Sequence, residues 1–264
     1  MRDAEDFKFN AFGYSLIGES SMAKSYAKVD EKLFIKILNN EIVFVRKIKR
    51  RDRVVVIDAG ANLGFYAIGY HLCGNTEIHA FEPYPATFKQ LKRNVEINHL
   101  TNIAIYDFGL FSEETVMRIG SPDAFQFYKL KDKILKYSDK NQAGCKSIYT
   151  SDYNAKLVKL YAGDQLQSVQ CLDQVDLIKI DVEGAELAVL RGLTNTISKY
   201  HPLLRIEFNQ NSLRASNTCQ DEIINFLLDT GYQQFHVCPL LSNSKWRSLY
   251  EVEEFVGAKD ILFY

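Results

Sequence analysis

The sequence has no segment built for a membrane or a secretion route. No apolar run approaches the ~18 residues of a membrane helix. The opening MRDAEDFKFN lacks the apolar core of a signal peptide. The five cysteines, at positions 73, 145, 171, 219 and 238, form no C-x-x-C and stand near no histidine pair. Scattered single thiols of this kind predict small core residues in a reducing, cytoplasmic setting. A formal net charge of -1 gives no whole-protein field to draw nucleic acid or an acidic membrane, so neither is an expected partner. The basic patch of Arg46, Lys47, Lys49, Arg50, Arg51 and Arg53 has no interleaved aromatics and reads as a solvated segment. Repeats, low-complexity segments and Pro/Gly-rich linkers are also missing, which leaves residues 1–264 as a single domain.

What the sequence does contain is organised around RVVVIDAGANLGF, residues 53–65. Val54, Val55, Val56 and Ile57 form an unbroken β-branched run, the pattern of a parallel strand buried on both faces. Asp58, Gly60, Ala61, Asn62 and Gly64 follow, and a helix is predicted from Phe65 to Cys73. Strand, glycine turn and helix in that order predict unpaired backbone N–H groups and a positive helix end beside the strand terminus. The spacing is D-x-G-x-N-x-G, without the third glycine of G-x-G-x-x-G. A pyrophosphate wants N–H donors and no nearby carboxylate, whereas a sulfonium and an ammonium suit an acid at position 58. The missing glycine, and the lack of a Tyr-x-x-x-Lys pair beyond the fourth strand, weigh against a nicotinamide-dependent oxidoreductase or epimerase.

A second strand, EIHAFEP, ends in Glu82, roughly 20 residues beyond the loop, where an acid accepts hydrogen bonds from both ribose hydroxyls. Pro83 and Pro85 stop the strand and start a helix whose inner face is Phe88, Leu91, Val95 and Asn98. Residues 102–110 read as a third strand, with Asp107 and Phe108 placed to meet an adenine. Upstream, residues 1–52 form an accessory aromatic-rich layer, and Asn39-Asn40 reads as a turn between apolar runs. Residues 112–170 are far too long for a simple loop and read as an insertion that binds the acceptor, with strand-like patches at KSIYTSDYN and KLVKLYAG.

The other informative stretch is VDLIKIDVEGAELAVLRG, residues 175–192, a buried strand followed by a helix striped with Leu187, Leu190, Leu193 and Ile197. Alternation along this strand and the next, LLRIEFN, puts Lys179, Asp181, Arg205 and Glu207 on one face, and adjacent strands would cluster them at the carboxyl edge. Four charges in two apolar strands cost too much desolvation to be incidental. The strands YQQFHVCP and FVGAKDILFY close the chain and predict an antiparallel edge on a parallel sheet. His201 falls at the wrong edge for chemistry, and His236 is a core histidine within its strand.

These stretches together resemble the FkbM family of S-adenosylmethionine-dependent methyltransferases. The resemblance is carried by VIDAGANLGFYA (56–67), FEP (81–83), IKIDVEGAELAVLRG (178–192) and HPLLRIEFN (201–209). It implies an α/β, Rossmann-like class I methyltransferase fold, with a mostly parallel seven-stranded sheet, an antiparallel edge strand and helices on both faces. It places Asp58, Gly60, Asn62 and Gly64 at the methionine end of S-adenosylmethionine, Glu82 at the ribose, Asp107 and Phe108 near the adenine, and Asp181 near the methyl group, with Ala61, Phe65 and Pro83 as further cofactor-binding residues. The product would be S-adenosylhomocysteine. Asp181, Glu183 and Glu207 are the candidate catalytic carboxylates, with the base on the acceptor side. Family members mostly methylate hydroxyl oxygens of sugars or natural products, so a glycan or small-molecule acceptor is expected. A nitrogen or phosphate-linked acceptor is the alternative on the same scaffold. Oxygen ligands for a divalent metal stand among Asp181, Glu183 and Glu207, but nothing in their spacing demands one and none is expected.

Overall fold

A computed structural model describes residues 6–19, 24, 26–120, 128–130, 133–135, 148, 155–240, 244–253, 255 and 258–264. The N-terminal part contains β1 (Asp6–Ala11), β2 (Tyr14–Glu19), α1 (Glu31–Lys49), β3 (Val54–Ala59), α2 (Phe65–Leu72), β4 (Thr76–Phe81) and α3 (Pro85–Ile97). Next come β5 (Ile103–Tyr106), β6 (Gly109–Phe111), β7 (Thr115–Ile119), β8 (Tyr128–Leu130), β9 (Lys133–Leu135), β10 (Lys156–Ala162) and α4 (Gln167–Gln170). The chain closes with β11 (Leu177–Ile180), α5 (Glu186–Gly192), α6 (Thr194–Tyr200), β12 (Leu203–Asn209), α7 (Gln210–Ala215), α8 (Gln220–Asp229), β13 (Gln234–Val237), β14 (Arg247–Ser248) and β15 (Ala258–Phe263).

The main sheet has eight strands in the order β14-β13-β15-β12-β11-β3-β4-β5. β12, β11, β3, β4 and β5 run parallel. β15 pairs antiparallel with both β12 and β13, so the last strand lies inside the sheet. The edge is the two-residue β14, antiparallel to β13, which raises the count by one over the seven expected. The mixed α/β architecture read from the sequence stands.

Both faces of the sheet are buried, as the unbroken apolar runs require. Val55 and Ile57 pack into one core with Ile178, Ile180, Leu204 and Ile206, under α5, α6 and α8. Val54 and Val56 pack into the other with Leu177 and Leu203, under α1 and α2. Alternation therefore places Asp58, Lys179, Arg205 and Glu207 on the face that α1 and α2 cover.

The run LFIKILNNEIVFVRKI is helical, and Asn39-Asn40 is no turn but part of α1. The Asp30 side chain caps the helix by accepting from the Leu33 N–H at 3.1 Å, and Leu38, Ile42 and Val45 fall at i, i+4, i+7 and are fully buried. Burying them contributes roughly 1.5–3 kcal/mol each, which outweighs the turn preference of two asparagines. The basic patch ends this helix and does more than sit in solvent. Lys49 Nζ donates to the carbonyls of Tyr200 and His201 at 2.9 and 2.7 Å, and Arg53 pairs with Glu77 at 2.7 Å and Asp173 at 3.0 Å.

The predicted third strand is two strands in two sheets. β5 belongs to the main sheet, the chain bends at Asp107 and Phe108, and β6 joins a second sheet of order β6-β10-β7. A Cβ at Gly109 would lie 2.6 Å from Leu160 and 3.1 Å from Pro83, so the glycine allows this departure. KLVKLYAG forms β10 as read, whereas nearly all of KSIYTSDYN lies outside the described residues. The helix stripe after Gly184 is broken at Leu193 into α5 and α6. Among the cysteines, Cys73 is buried and Cys238 partly so, but Cys171 and Cys219 are exposed, contrary to a core role. Cys145 lies outside the described residues. No helix among the described residues is long and apolar enough to cross a membrane.

Candidate active site

β3 ends at Asp58, whose neighbour across the ladder is Lys179 of β11. Lys179 Nζ donates to Asp58 Oδ1 at 3.0 Å and to the Gly60 carbonyl at 3.2 Å, and it lies 3.4 Å from Asp181 Oδ2. Burial works against this ammonium, yet the Asp58 and Asp181 carboxylates raise its pKa above the ordinary value. Asp58 is fully buried, and its second oxygen, Oδ2, has no protein partner.

The glycine loop is where the structure departs most from expectation. Its N–H groups are not left open. Gly60 and Ala61 both donate to the Phe81 carbonyl at 3.0 Å, Asn62 N–H to Glu82 Oε2 at 2.9 Å, Leu63 N–H to Asn62 Oδ1 at 2.7 Å, and Gly64 N–H to the Ala61 carbonyl at 2.9 Å. Positive φ at Gly60, Asn62 and Gly64 (78°, 55° and 92°) folds the loop back far enough for these contacts. The loop ties the ends of β3 and β4 together.

Glu82 is the hub of that tie. Its other oxygen accepts from Tyr84 N–H at 2.8 Å, and burial pushes its carboxyl up to about 7 despite the two backbone donors. Pro83 packs beside Gly109. Asp107 is exposed at the bend after β5, while Phe108 packs edge-on to Tyr161 with centroids 5.0 Å apart. Phe65 stands apart from this group. Its ring is spent in an aromatic core with Phe12, Tyr26 and Phe34, at centroid distances of 4.8, 4.3 and 4.8 Å.

Beyond β11 the chain turns through Glu183 and Gly184, at φ 53° and 106°. Glu186 Oε1 secures the turn by accepting from the Gly184 N–H at 3.0 Å and the Val182 N–H at 3.4 Å. Burial pushes the Glu186 carboxyl up to about 7. Glu183 receives a hydrogen bond from Ser212 Oγ at 3.1 Å. Carboxylate oxygens of Asp181, Glu183 and Glu207 all lie within 4.8 Å of one another. Burial first, then the charges of Asp181 and Glu183, push Glu207 up to about 10; burial also raises Asp181.

Of the four charges expected to cluster, Lys179 and Arg205 are ladder partners and Asp181 lies against both Lys179 and Glu207, but Arg205 turns to other groups. Arg205 is held by Glu41 of α1 and Asp260 of β15, and it donates to Tyr66 Oη at 3.1 Å. The Tyr66 ring is within reach of both cations, its centroid 4.9 Å from Lys179 Nζ and 5.0 Å from Arg205 Cζ. Glu41 is a lone acid on the apolar stripe of α1 and Asp260 a lone acid in a mostly apolar strand. Those anomalies are the signal by which they are found. The histidines stay out of this site: His201 stacks on Tyr232 at 4.3 Å, and His236 is only half-buried and contacts the carbonyls of Lys245 and Pro239 at 3.1 Å.

"Methyltransferase 1" of Beauveria bassiana is 31% identical over 186 residues, 64% of this chain and 71% of its own length. "Hexuronic acid methyltransferase AglP" of Haloferax volcanii is 27% identical over 203 residues, covering 75% and 76%. The crystal structure of "Methyltransferase FkbM" from Methylobacillus flagellatus aligns with 17% identity and a TM-score of 0.48, over 81% of this chain and 44% of that one. Residues 58–233, which begin at the buried Asp58 and run past Glu207, match the Methyltransferase FkbM domain. The chain belongs to the FkbM methyltransferase family.

Proposed function

We propose that the protein is an S-adenosylmethionine-dependent methyltransferase acting on a hydroxyl of a sugar, glycan precursor or other small metabolite. The observation that carries this reading is the meeting, at one end of the sheet, of an acid just after β4, an unpartnered buried oxygen on β3, and three carboxylates, two just beyond β11 and one on β12. The residues fit the cofactor. Asp58 Oδ2 is a buried acceptor without a donor, suited to an ammonium. Glu82 suits two ribose hydroxyls, and Asp107 and Phe108 stand at the next strand end for an adenine. Gly60, Ala61, Asn62 and Gly64 shape the floor through carbonyls and close approach, since their N–H groups are already engaged. Bound S-adenosylmethionine would supply an electrophilic methyl group and leave as S-adenosylhomocysteine.

The chain's own contribution is alignment and proton removal. Asp181, beside Lys179, positions the donor electrostatically. Either Glu183 or Glu207, on the acceptor side, takes the hydroxyl proton. Residues 1–52 and 112–170 supply the acceptor's surroundings within one domain. The name of the haloarchaeal relative, a hexuronic acid methyltransferase, supports a sugar acceptor.

The test is calorimetric titration with S-adenosylhomocysteine and, in parallel, NAD, on wild type and Glu82→Ala. Binding of the homocysteine compound that Glu82→Ala weakens, with no heat from NAD, is expected. Silence toward it, or binding of NAD, overturns the reading.

A further inference from the structure

The carboxylates of Asp181, Glu183 and Glu207 come from the end of one strand, the turn after it and the neighbouring strand, yet offer oxygens within 4.8 Å of one another. Packing three acids so closely is costly unless a positive group sits among them. Lys179 reaches Asp181 at 3.4 Å but is shared with Asp58 at 3.0 Å, so that ammonium is largely spent on the adjacent acid. Two further observations bear on the cluster. Glu207 Oε2 is buried with no hydrogen-bond partner. Glu186, 2% exposed, uses Oε1 to hold the turn that carries Glu183, while its buried Oε2 also has no partner and lies within the field of Asp181, Glu183 and Glu207. Unpartnered buried carboxylate oxygens at one place ask for a ligand.

We propose that Asp181, Glu183 and Glu207 bind a divalent cation of the hard, oxygen-seeking class, magnesium or manganese, with Glu186 bracing the turn that presents Glu183. The donor set contains no histidine or cysteine, which disfavours zinc and copper. Magnesium binds through few carboxylates and completes its octahedral shell with water and substrate, which suits so small a set of acids. The open positions would then receive acceptor oxygens. An acceptor offering two neighbouring oxygens, a vicinal diol or hydroxy acid, fits such a site, and its hydroxyl, when bound to the cation, would pass its proton more readily to the uncoordinated oxygen of Glu183 or Glu207. This role for the cation rests on the methyltransferase reading; its presence does not.

The experiment is a manganese titration of the full chain followed by the electron paramagnetic resonance signal of free Mn2+. It compares wild type, Glu183→Gln, Glu207→Gln and the surface control Glu96→Gln, whose side chain is 62% exposed. Wild type and Glu96→Gln are expected to take up one Mn2+ per chain, displaced by Mg2+, and the two site variants to bind it at least roughly tenfold more weakly. If Glu207→Gln does not fold, Glu183→Gln at its partly exposed turn carries the comparison. Absence of uptake by wild type up to roughly 1 mM, or equal uptake by the folded site variants, overturns the proposal. A parallel S-adenosylhomocysteine titration separates the two readings. Cofactor binding without manganese uptake removes the cation site alone, and manganese uptake without cofactor binding keeps the site while removing the methyltransferase reading.

Discussion

Gly60 and Asp181 touch backbone to backbone: a Cβ on Gly60 would lie 2.0 Å from the Asp181 carbonyl oxygen. The glycine loop after β3 and the acidic turn after β11 are thus locked by the absence of one methyl group. Gly60→Ala must move one of them and also strain a φ of 78°. We expect a loss of about 2–4 kcal/mol in urea unfolding together with loss of S-adenosylhomocysteine binding. Gly13→Ala, at φ 80° but with nothing within 4 Å, isolates the conformational cost and should lose only about 1 kcal/mol.

Arg205 and Glu41 form a pair buried from solvent, at 4% and 0% exposure. Arg205→Met leaves Glu41 without its cation and should cost about 3–5 kcal/mol. Adding Glu41→Gln should restore at least roughly 1 kcal/mol, because the stranded charge is gone. Strict additivity of the two changes in a double-mutant cycle would show that the pair contributes nothing specific.

Glu82 makes stability depend on pH. Its folded carboxyl titrates at about 7 against an ordinary 4.5. The unfolded chain therefore gives up this proton first as pH rises. The stabilising contribution is complete below pH 4.5 and is lost as pH climbs through about 7. At 1.36 kcal/mol per pH unit the span is worth roughly 3 kcal/mol. Unfolding of wild type at pH 5, 6 and 7 should show this decline beyond that of Glu82→Gln. A ligand that hydrogen-bonds the ionised carboxylate should bind more tightly over the same interval, by up to tenfold per unit, and Glu82→Gln should flatten that slope too.

Asn94, fully buried on α3, fastens the β1–β2 hairpin to the domain. Its Oδ1 accepts from the Ile17 N–H at 2.8 Å, and its Nδ2 donates to the carbonyls of Ile17 at 3.0 Å and Leu63 at 2.9 Å. Asn94→Ala should cost about 2–4 kcal/mol through unsatisfied backbone groups. Faster amide exchange concentrated in residues 14–18 would identify the hairpin as the unit released, whereas uniform acceleration would argue against it.

Much of this was legible in the residues. Buried parallel strands announce themselves as apolar runs, so β3, β4, β11 and β12 could be read directly, and alternation placed Lys179 beside Arg205. The D-x-G-x-N-x-G loop and Glu82 were found by spacing, and they do meet through Asn62. Periodicity was misread where two signals compete. In α1 an Asn-Asn pair imitates a turn inside a helix stabilised by what it buries. At Asp107 a strand that leaves its sheet looks the same in sequence as one that continues. Pairing was the least legible property. A charge on an apolar stripe reveals that it needs a partner but not which one, so Glu41, Tyr66 and Asp260 entered only when the fold brought them to Arg205.

Both acids that neutralise Arg205 come from outside residues 58–233, the stretch shared with the family: Glu41 precedes it and Asp260 follows it. The two flanks act as the jaws of a clasp on a guanidinium at the heart of the shared segment. Excised at those boundaries, that segment would carry a bare buried cation and an exposed sheet edge along β12, which pairs with β15 in the whole chain. The flanks are therefore no interchangeable packaging. A chimera that trades them for those of a relative must bring two matching acids, or replace Arg205 at the same time.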